Sequence, residues 1–162
     1  MARTRDNAGV IAPPPLLALA AVVLGLVLDW LLPAYVLQVL LTWPQRLVIG
    51  GILFMGCCGL GIPALLAFRA AGTHVEPWKP ASVLVTDGIF RWLRNPMYVG
   101  LILLLAGLAV LLASDGTLVM TVAFAAAIHF GVVKREERYL AAKFGEPYLH
   151  YIAAVPRYGL PF

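Results

Sequence analysis

The stretch MYVGLILLLAGLAVLLA (Met97–Ala113), SDG (Ser114–Gly116) and TLVMTVAFAAAIHFGVV (Thr117–Val133) decides the fold. Its two apolar runs are each close to the length a helix needs to cross a hydrocarbon core of about 30 Å. A link as short as Ser114–Gly116 folds them back on each other as a tight antiparallel hairpin. Whatever precedes Met97 must then meet whatever follows Val133 at the open end. Two further runs, Leu16–Leu32 and Leu47–Ala71, have the same character. Backbone groups in lipid have no water partners, and four such segments are too few for a closed barrel. The expected fold is therefore an all-α integral membrane protein of about four transmembrane helices, a single domain over 1–162. Within it, 1–15 is an N-terminal arm, 16–71 holds the first two spans, and 72–162 carries the hairpin and the polar segments around it.

Composition points the same way. The chain is 62% hydrophobic and 12% charged, against about 45–50% and about 25% in ordinary soluble domains, and its mean hydropathy is +0.90. The net charge of +4 comes with no basic run, zinc-ligand spacing or aromatic RNA-binding stretch, so no nucleic-acid partner is expected. Cys57 and Cys58 are adjacent, unsuited to a mutual disulfide or to metal ligation, and read as small packing residues; no metal is expected. The first apolar run follows Pro13, Pro14 and Pro15 and lacks an Ala-x-Ala end, so it reads as a retained span rather than a removed signal. Eleven of the twelve lysines and arginines fall in the arm, the middle loop and the region after Val133; Arg46 alone lies on the other side. By the positive-inside rule both termini and the 72–95 loop are cytoplasmic, in a multi-pass protein of an inner or plasma membrane. Ala21 with Gly25, Cys57 with Gly61, and Ala109 with Ala113 place small residues at four-residue spacing, where helices approach closely.

The polar residues collect at that cytoplasmic end. The middle loop has Pro77, Trp78, Lys79 and Pro80, a short β-like run Val83–Thr86, then Asp87 and Gly88, and reads as an ordered interfacial segment. Trp78, Phe90 and Trp92 suit a headgroup-level aromatic belt, to which Arg91 and Arg94 can snorkel. Pro96 suits the first turn of a helix and Asn95 its cap; the free backbone donors there suit an anion, and Gly100 would let a ligand come close to the backbone. Glu136 and Glu137 follow a long uncharged run and sit where the helix dipole disfavours negative charge, so a compensating cation is expected. Lys134, Arg135 and Arg138 can supply it as a solvated helix end, or a cationic ligand can. His129, seven residues before Glu136 and near the same helix face, can line the same cavity or bond a neighbouring helix. Asp29, at the outer end of the first span, reads as interfacial with no assigned role.

VLVTDGIF (Val83–Phe90), RNPMYVG (Arg94–Gly100), and Glu136 and Glu137 with Leu140 are followed by Phe144, Gly145, Tyr148, Tyr151, Val155, Pro156, Leu160, Pro161 and Phe162. Together these resemble the isoprenylcysteine carboxyl methyltransferase family, whose pattern is Leu-Val-Thr-x-Gly, Arg-His-Pro-x-Tyr-x-Gly and Glu-Glu-x-x-Leu. The resemblance runs from about Trp78 to the C-terminus. It implies a methyltransferase that uses S-adenosylmethionine and releases S-adenosylhomocysteine. It also implies a cytoplasmic cofactor pocket enclosed by the middle loop, the start of the third span and the C-terminal helices, and open toward lipid. By the same resemblance Leu84, Val85, Gly88, Ile89, Asn95, Pro96 and Tyr98 wall the cofactor, Glu136 binds its polar part and Phe90 faces the substrate. Gly100 and His129 join the cofactor set on the reading of the residues given above.

Asn95 departs from the family's histidine, and Asn-Pro-Met-Tyr is similar to the turn in phospholipid N-methyltransferases. The acceptor thus stays open between a prenylcysteine-type carboxylate, a phospholipid and a small thiol; the partner is a membrane lipid or lipid-modified substrate. A carboxylate need only be oriented, by Arg94 or Arg157, whereas an amine or thiol must lose a proton, to Glu137 or His129. Two rival readings are a non-catalytic membrane scaffold and a membrane reductase; the latter finds no Gly-rich dinucleotide fingerprint here.

Overall fold

Pro13 sets the chain extended and Pro14 opens α1 (Pro14–Leu31), where a proline's missing N–H costs nothing. The computed structural model describes residues 6–159; Arg3 and Arg5, and Leu160, Pro161 and Phe162, lie outside the described residues. A short α2 (Val36–Leu40) leads to α3 (Trp43–Ala70). α3 begins a turn before the apolar run because the Gln45 side chain accepts the Thr42 N–H at 2.8 Å. The hairpin is α4 (Pro96–Leu112) and α5 (Asp115–Ile128). A π-helical turn, His129–Val133, carries α5 without a break into the polar α6 (Lys134–Phe144), and α7 (Glu146–Ala154) follows Gly145. No strand occurs among the described residues. Three helices are long and apolar enough to cross a membrane: α1, α3 and the continuous Asp115–Phe144; α4, at 17 residues, is shorter.

Val83–Thr86 departs from its β-like pattern. With no neighbouring strand to pair with, it stays irregular, and the loop is held instead by Ser82 N–H to Thr73 Oγ1 (3.0 Å) and Ala81 N–H to the Tyr139 hydroxyl (3.1 Å). Only Gly88–Arg91 is regular, as one 3-10 turn.

Glycines set how closely the helices pack. A Cβ on Gly25 of α1 would collide with the Thr117 backbone, and one on Gly116 with the Gly25 carbonyl, so α1 and α5 touch backbone to backbone. α3 and α4 also pack closely at Gly50 and Gly107: a Cβ on Gly50 would run into the Leu111 side chain, and one on Gly107 would lie 3.3 Å from the Leu53 Cβ and 3.4 Å from the Gly50 carbonyl. Ala18 and Ala21 of α1 pack with Leu105 of α4 and Phe124, Ile128, Val132 and Val133 to form the core. The outward faces of α1 and α3 stay exposed and apolar, Leu19, Val23, Ile52 and Met55 among them.

At the closed end of the hairpin the link is pinned by two carboxylates. Asp29 accepts from the Ser114 hydroxyl and from Gly116 N–H (2.6 Å), so it is a tether between α1 and α5 rather than an idle interfacial group. Asp115 accepts from Val36 and Leu37 N–H (2.7 and 2.9 Å) and caps α2. At the opposite end the arm crosses the π turn, where Ile11 N–H reaches the Gly131 carbonyl (3.3 Å) and the Ile11 side chain fills the place of a Gly131 Cβ. The i→i+5 winding leaves carbonyls available to such outside donors.

Candidate active site

The hairpin brings the residues before α4 against the start of α6, and a cavity of about 350 Å³ lies between them, within the range of small-molecule sites. Its inner side is the first turns of α4, from Asn95 and Pro96 to Tyr98 and Leu101. The middle loop supplies Trp78, Val83, Leu84, Val85 and Phe90; α6 supplies Glu136, Glu137, Tyr139 and Leu140; α7 supplies Tyr148 and Tyr151. Phe90 is buried, edge-on to Phe68 at 5.2 Å, and its carbonyl accepts the Tyr151 hydroxyl at 2.7 Å. The loop is thereby fastened to α3 and α7 together.

The two glutamates have opposite surroundings. Glu137 is gripped by two guanidinium groups: Arg94 donates to Oε1 at 2.8 Å, and Arg157 donates through Nε to Oε1 (2.8 Å) and through a terminal nitrogen to Oε2 (2.7 Å). Arg94 and Glu137 are only 11% and 18% exposed, so the pair works in a poorly screened setting. Glu136 receives one neutral donor, the Tyr98 hydroxyl at 2.8 Å, and no cation lies within ion-pair reach among the described residues. Glu136 stands past Val133, the end of the apolar run, and is partly buried against the cavity. Burial pushes its pKa up to about 7, and the Tyr98 hydrogen bond only partly offsets this.

The expected cations on the same helix are used elsewhere. Lys134 lies over the Phe130 ring (4.8 Å), Arg135 donates to the Gly9 carbonyl (2.8 Å) and Arg138 to the Lys134 carbonyl (3.2 Å). An α6 side chain projects toward its own helix's N-terminal side, so the glutamates meet what the tertiary fold puts across from them.

The remaining residues singled out from the sequence divide into two groups. Leu84, Val85, Phe90, Arg94, Asn95, Pro96, Tyr98, Gly100, Glu136 and Glu137 line the cavity. Gly88, Ile89, His129 and Arg157 do not. His129 turns to the C-terminal segment, its Nδ1 2.8 Å from the Tyr158 hydroxyl, while Arg157 reaches the site through Glu137. Asn95 makes no side-chain cap; its amide donates to the Arg157 carbonyl at 3.2 Å. At Gly100 a Cβ would lie 3.3 Å from the Cys57 carbonyl, so the missing side chain serves the α3–α4 contact. Tyr148 and Tyr151, part of the C-terminal run that carries the resemblance, also line the cavity, and so does Tyr139, which no motif in the sequence marks.

The model of the phospholipid methyltransferase family matches residues 45–147. Protein-S-isoprenylcysteine O-methyltransferase B of Arabidopsis thaliana is 34% identical over 82 residues, 49% of this chain and 40% of that protein. Protein-S-isoprenylcysteine O-methyltransferase of Schizosaccharomyces pombe is 38% identical over 82 residues, 49% of this chain and 33% of that protein. The match therefore spans well under half the length of either relative. No solved structure matches.

Proposed function

The chain belongs to the phospholipid methyltransferase family, and from that premise we propose that it transfers a methyl group from S-adenosylmethionine to a lipid-like, prenylcysteine-type carboxylate at a membrane interface. The observation that carries the proposal is Glu136, a carboxylate on the wall of a largely apolar cavity, hydrogen-bonded to the neutral Tyr98 and with no cation within ion-pair reach among the described residues. A buried charge without a partner is costly, and a positively charged ligand relieves that cost. The residues fit the cofactor on that ground: Glu136 would hold its cationic end, and Leu84, Val85 and Pro96 would face its apolar surface.

When bound, S-adenosylmethionine supplies an electrophilic methyl on sulfonium. The chain's own residues align and exclude water. Tyr98 holds the Glu136 carboxylate in place, and Trp78 and Phe90 close the loop side. Two guanidinium groups against the single Glu137 carboxylate leave a positive charge beside the cavity, suited to orienting an anionic acceptor. Glu137, accepting three N–H bonds, is poorly available as a base, and His129 lies off the cavity. Both points favour an acceptor that needs no deprotonation.

The membrane reading adds α4 as a fourth span. Its 17 residues give about 26 Å of helix at ~1.5 Å per residue, a turn short of the core, which its tight packing against α3 tolerates. The cavity end carries Arg69, Lys79, Arg94 and Lys134, which supports a cytoplasmic placement. The test is purified protein with labelled S-adenosylmethionine and three acceptors: N-acetyl-S-farnesylcysteine, phosphatidylethanolamine and a small thiol. Label in the farnesylcysteine ester is expected; label only in the amine or the thiol overturns the carboxylate assignment, and no binding of S-adenosylhomocysteine by calorimetry overturns the methyltransferase.

A further inference from the structure

A second, open basin adjoins the cavity, with Glu137 and Tyr148 facing both. Phe130 from the π turn and Lys134 and Arg138 from α6 line one side, and Ile152 and Arg157 line the other. Neither Lys134 nor Arg138 forms an ion pair among the described residues. The one acid in the lining, Glu137, is already shared between Arg94 and Arg157. The basin is therefore strongly cationic and uncompensated.

What leads into it is apolar. Val119, Val122 and Phe130 are 57%, 70% and 63% exposed, and with Ala126 they recur at three- and four-residue steps along α5 and into the π turn, on one helix face. The same face continues at four-residue steps to Lys134 and Arg138, both exposed. An exposed hydrocarbon track thus ends directly under a pair of cations, with the Lys134 ammonium lying over the Phe130 ring at 4.8 Å. A free anion would use only the cations. An acyl chain with a phosphate at its head uses the whole track.

We infer that this basin seats the headgroup of an anionic phospholipid, whose acyl chain lies along Val119, Val122 and Phe130 and whose phosphate sits between Lys134, Arg138 and the outer edge of Arg157. The basin shares Glu137, Tyr148 and Arg157 with the surroundings of the first cavity, but the lipid contact is argued from Lys134, Arg138 and Phe130 and does not depend on methyl transfer. Cationic recesses at the headgroup end of membrane helices are a recurrent way of holding such lipids.

The test is native mass spectrometry of the delipidated full chain titrated with phosphatidylglycerol, phosphatidylcholine or inorganic phosphate. Wild-type protein is expected to retain phosphatidylglycerol preferentially, with affinity about tenfold weaker in Lys134→Gln/Arg138→Gln. Phe130→Ala, with both cations intact, is expected to weaken phosphatidylglycerol while leaving any inorganic phosphate adduct unchanged. Circular dichroism of each variant establishes that it is folded. Equal retention of phosphatidylcholine, unchanged phosphatidylglycerol binding in the folded double variant, or phosphate competing as well as the lipid each overturns the inference.

Discussion

The Tyr98 hydroxyl donates a 2.8 Å hydrogen bond to the Glu136 carboxylate, joining the first turn of α4 to the first turn of α6 at the open end of the hairpin. It is the sole hydrogen bond to that carboxylate among the described residues. Glu136→Gln removes a charge that has no protein cation to balance it, so the ligand-free protein is expected to gain stability slightly. Affinity for S-adenosylhomocysteine is expected to fall about tenfold or more, as when a charged hydrogen-bonding partner is lost. Melting curves and calorimetry on the same preparations measure both. Lower stability together with unchanged affinity would make Glu136 a structural residue only.

Tyr98→Phe tests the other partner. It strips the carboxylate of its donor, a loss of about 1–2 kcal/mol when the group left behind is buried. Stability should drop, opposite in sign to Glu136→Gln, while ligand affinity weakens in both. Two substitutions at the ends of one hydrogen bond that move stability in opposite directions would be hard to explain by packing alone.

The same carboxylate makes the protein pH-dependent. Burial raises its folded value from 4.5 to about 7, so the folded state holds a proton that the unfolded chain has released. Its contribution to stability is complete below pH 4.5 and is lost as pH rises through 7. The melting temperature of the ligand-free protein is therefore expected to fall between pH 5 and 8, with a shallower fall in Glu136→Gln. Cofactor affinity runs the other way, increasing over that window as the carboxylate ionises. A melting curve that responds to pH identically in both proteins would contradict the assignment.

How far these relationships could be read from the sequence depends on their range. The hairpin and the meeting of its two flanks follow from a three-residue link between apolar runs, which is local information. The partners of Glu137 do not. Lys134, Arg135 and Arg138 were the cations nearest in sequence, yet Arg94 and Arg157 arrive from distant segments because the loop and the C-terminal segment both dock on α6. Asp29 looked idle for the same reason, since its partners Ser114 and Gly116 are far along the chain. Val83–Thr86 has strand-like residues but no strand beside it.

Glu137 should be the more damaging glutamate to lose for folding. It holds two guanidinium groups, and removing one partner of a buried ion pair commonly costs about 3–5 kcal/mol; partial exposure of Arg157, at 34%, moderates this to about 2–3 kcal/mol. Glu137→Gln is expected to lower the unfolding midpoint in denaturant accordingly. Arg157→Lys, which keeps the charge but loses the two-pronged geometry, should cost roughly a third as much. A Glu137→Gln protein as stable as the parent would show that the three N–H bonds contribute nothing net.

Gly25 and Gly100 give the last comparison, because the same substitution meets different neighbours. At Gly25 a Cβ runs into the Thr117 backbone, which cannot yield without separating α1 from α5. At Gly100 it stands 3.3 Å from the Cys57 carbonyl, a contact that a small shift of α3 relieves. Gly25→Ala is therefore expected to cost about 2–3 kcal/mol and Gly100→Ala about 1 kcal/mol or less, by the usual penalty for overfilling a packed contact. Gly100 also decides between two uses of a missing side chain. If it serves the α3–α4 contact, Gly100→Ala lowers the melting temperature and leaves S-adenosylhomocysteine affinity where it was. If it serves close approach of the ligand to the backbone, affinity falls while the melting temperature of the ligand-free protein hardly moves. The Cys57 carbonyl already stands beside the place of a Gly100 Cβ, so the first outcome is expected, and the second would show that the ligand uses the stretch of cavity wall at Gly100.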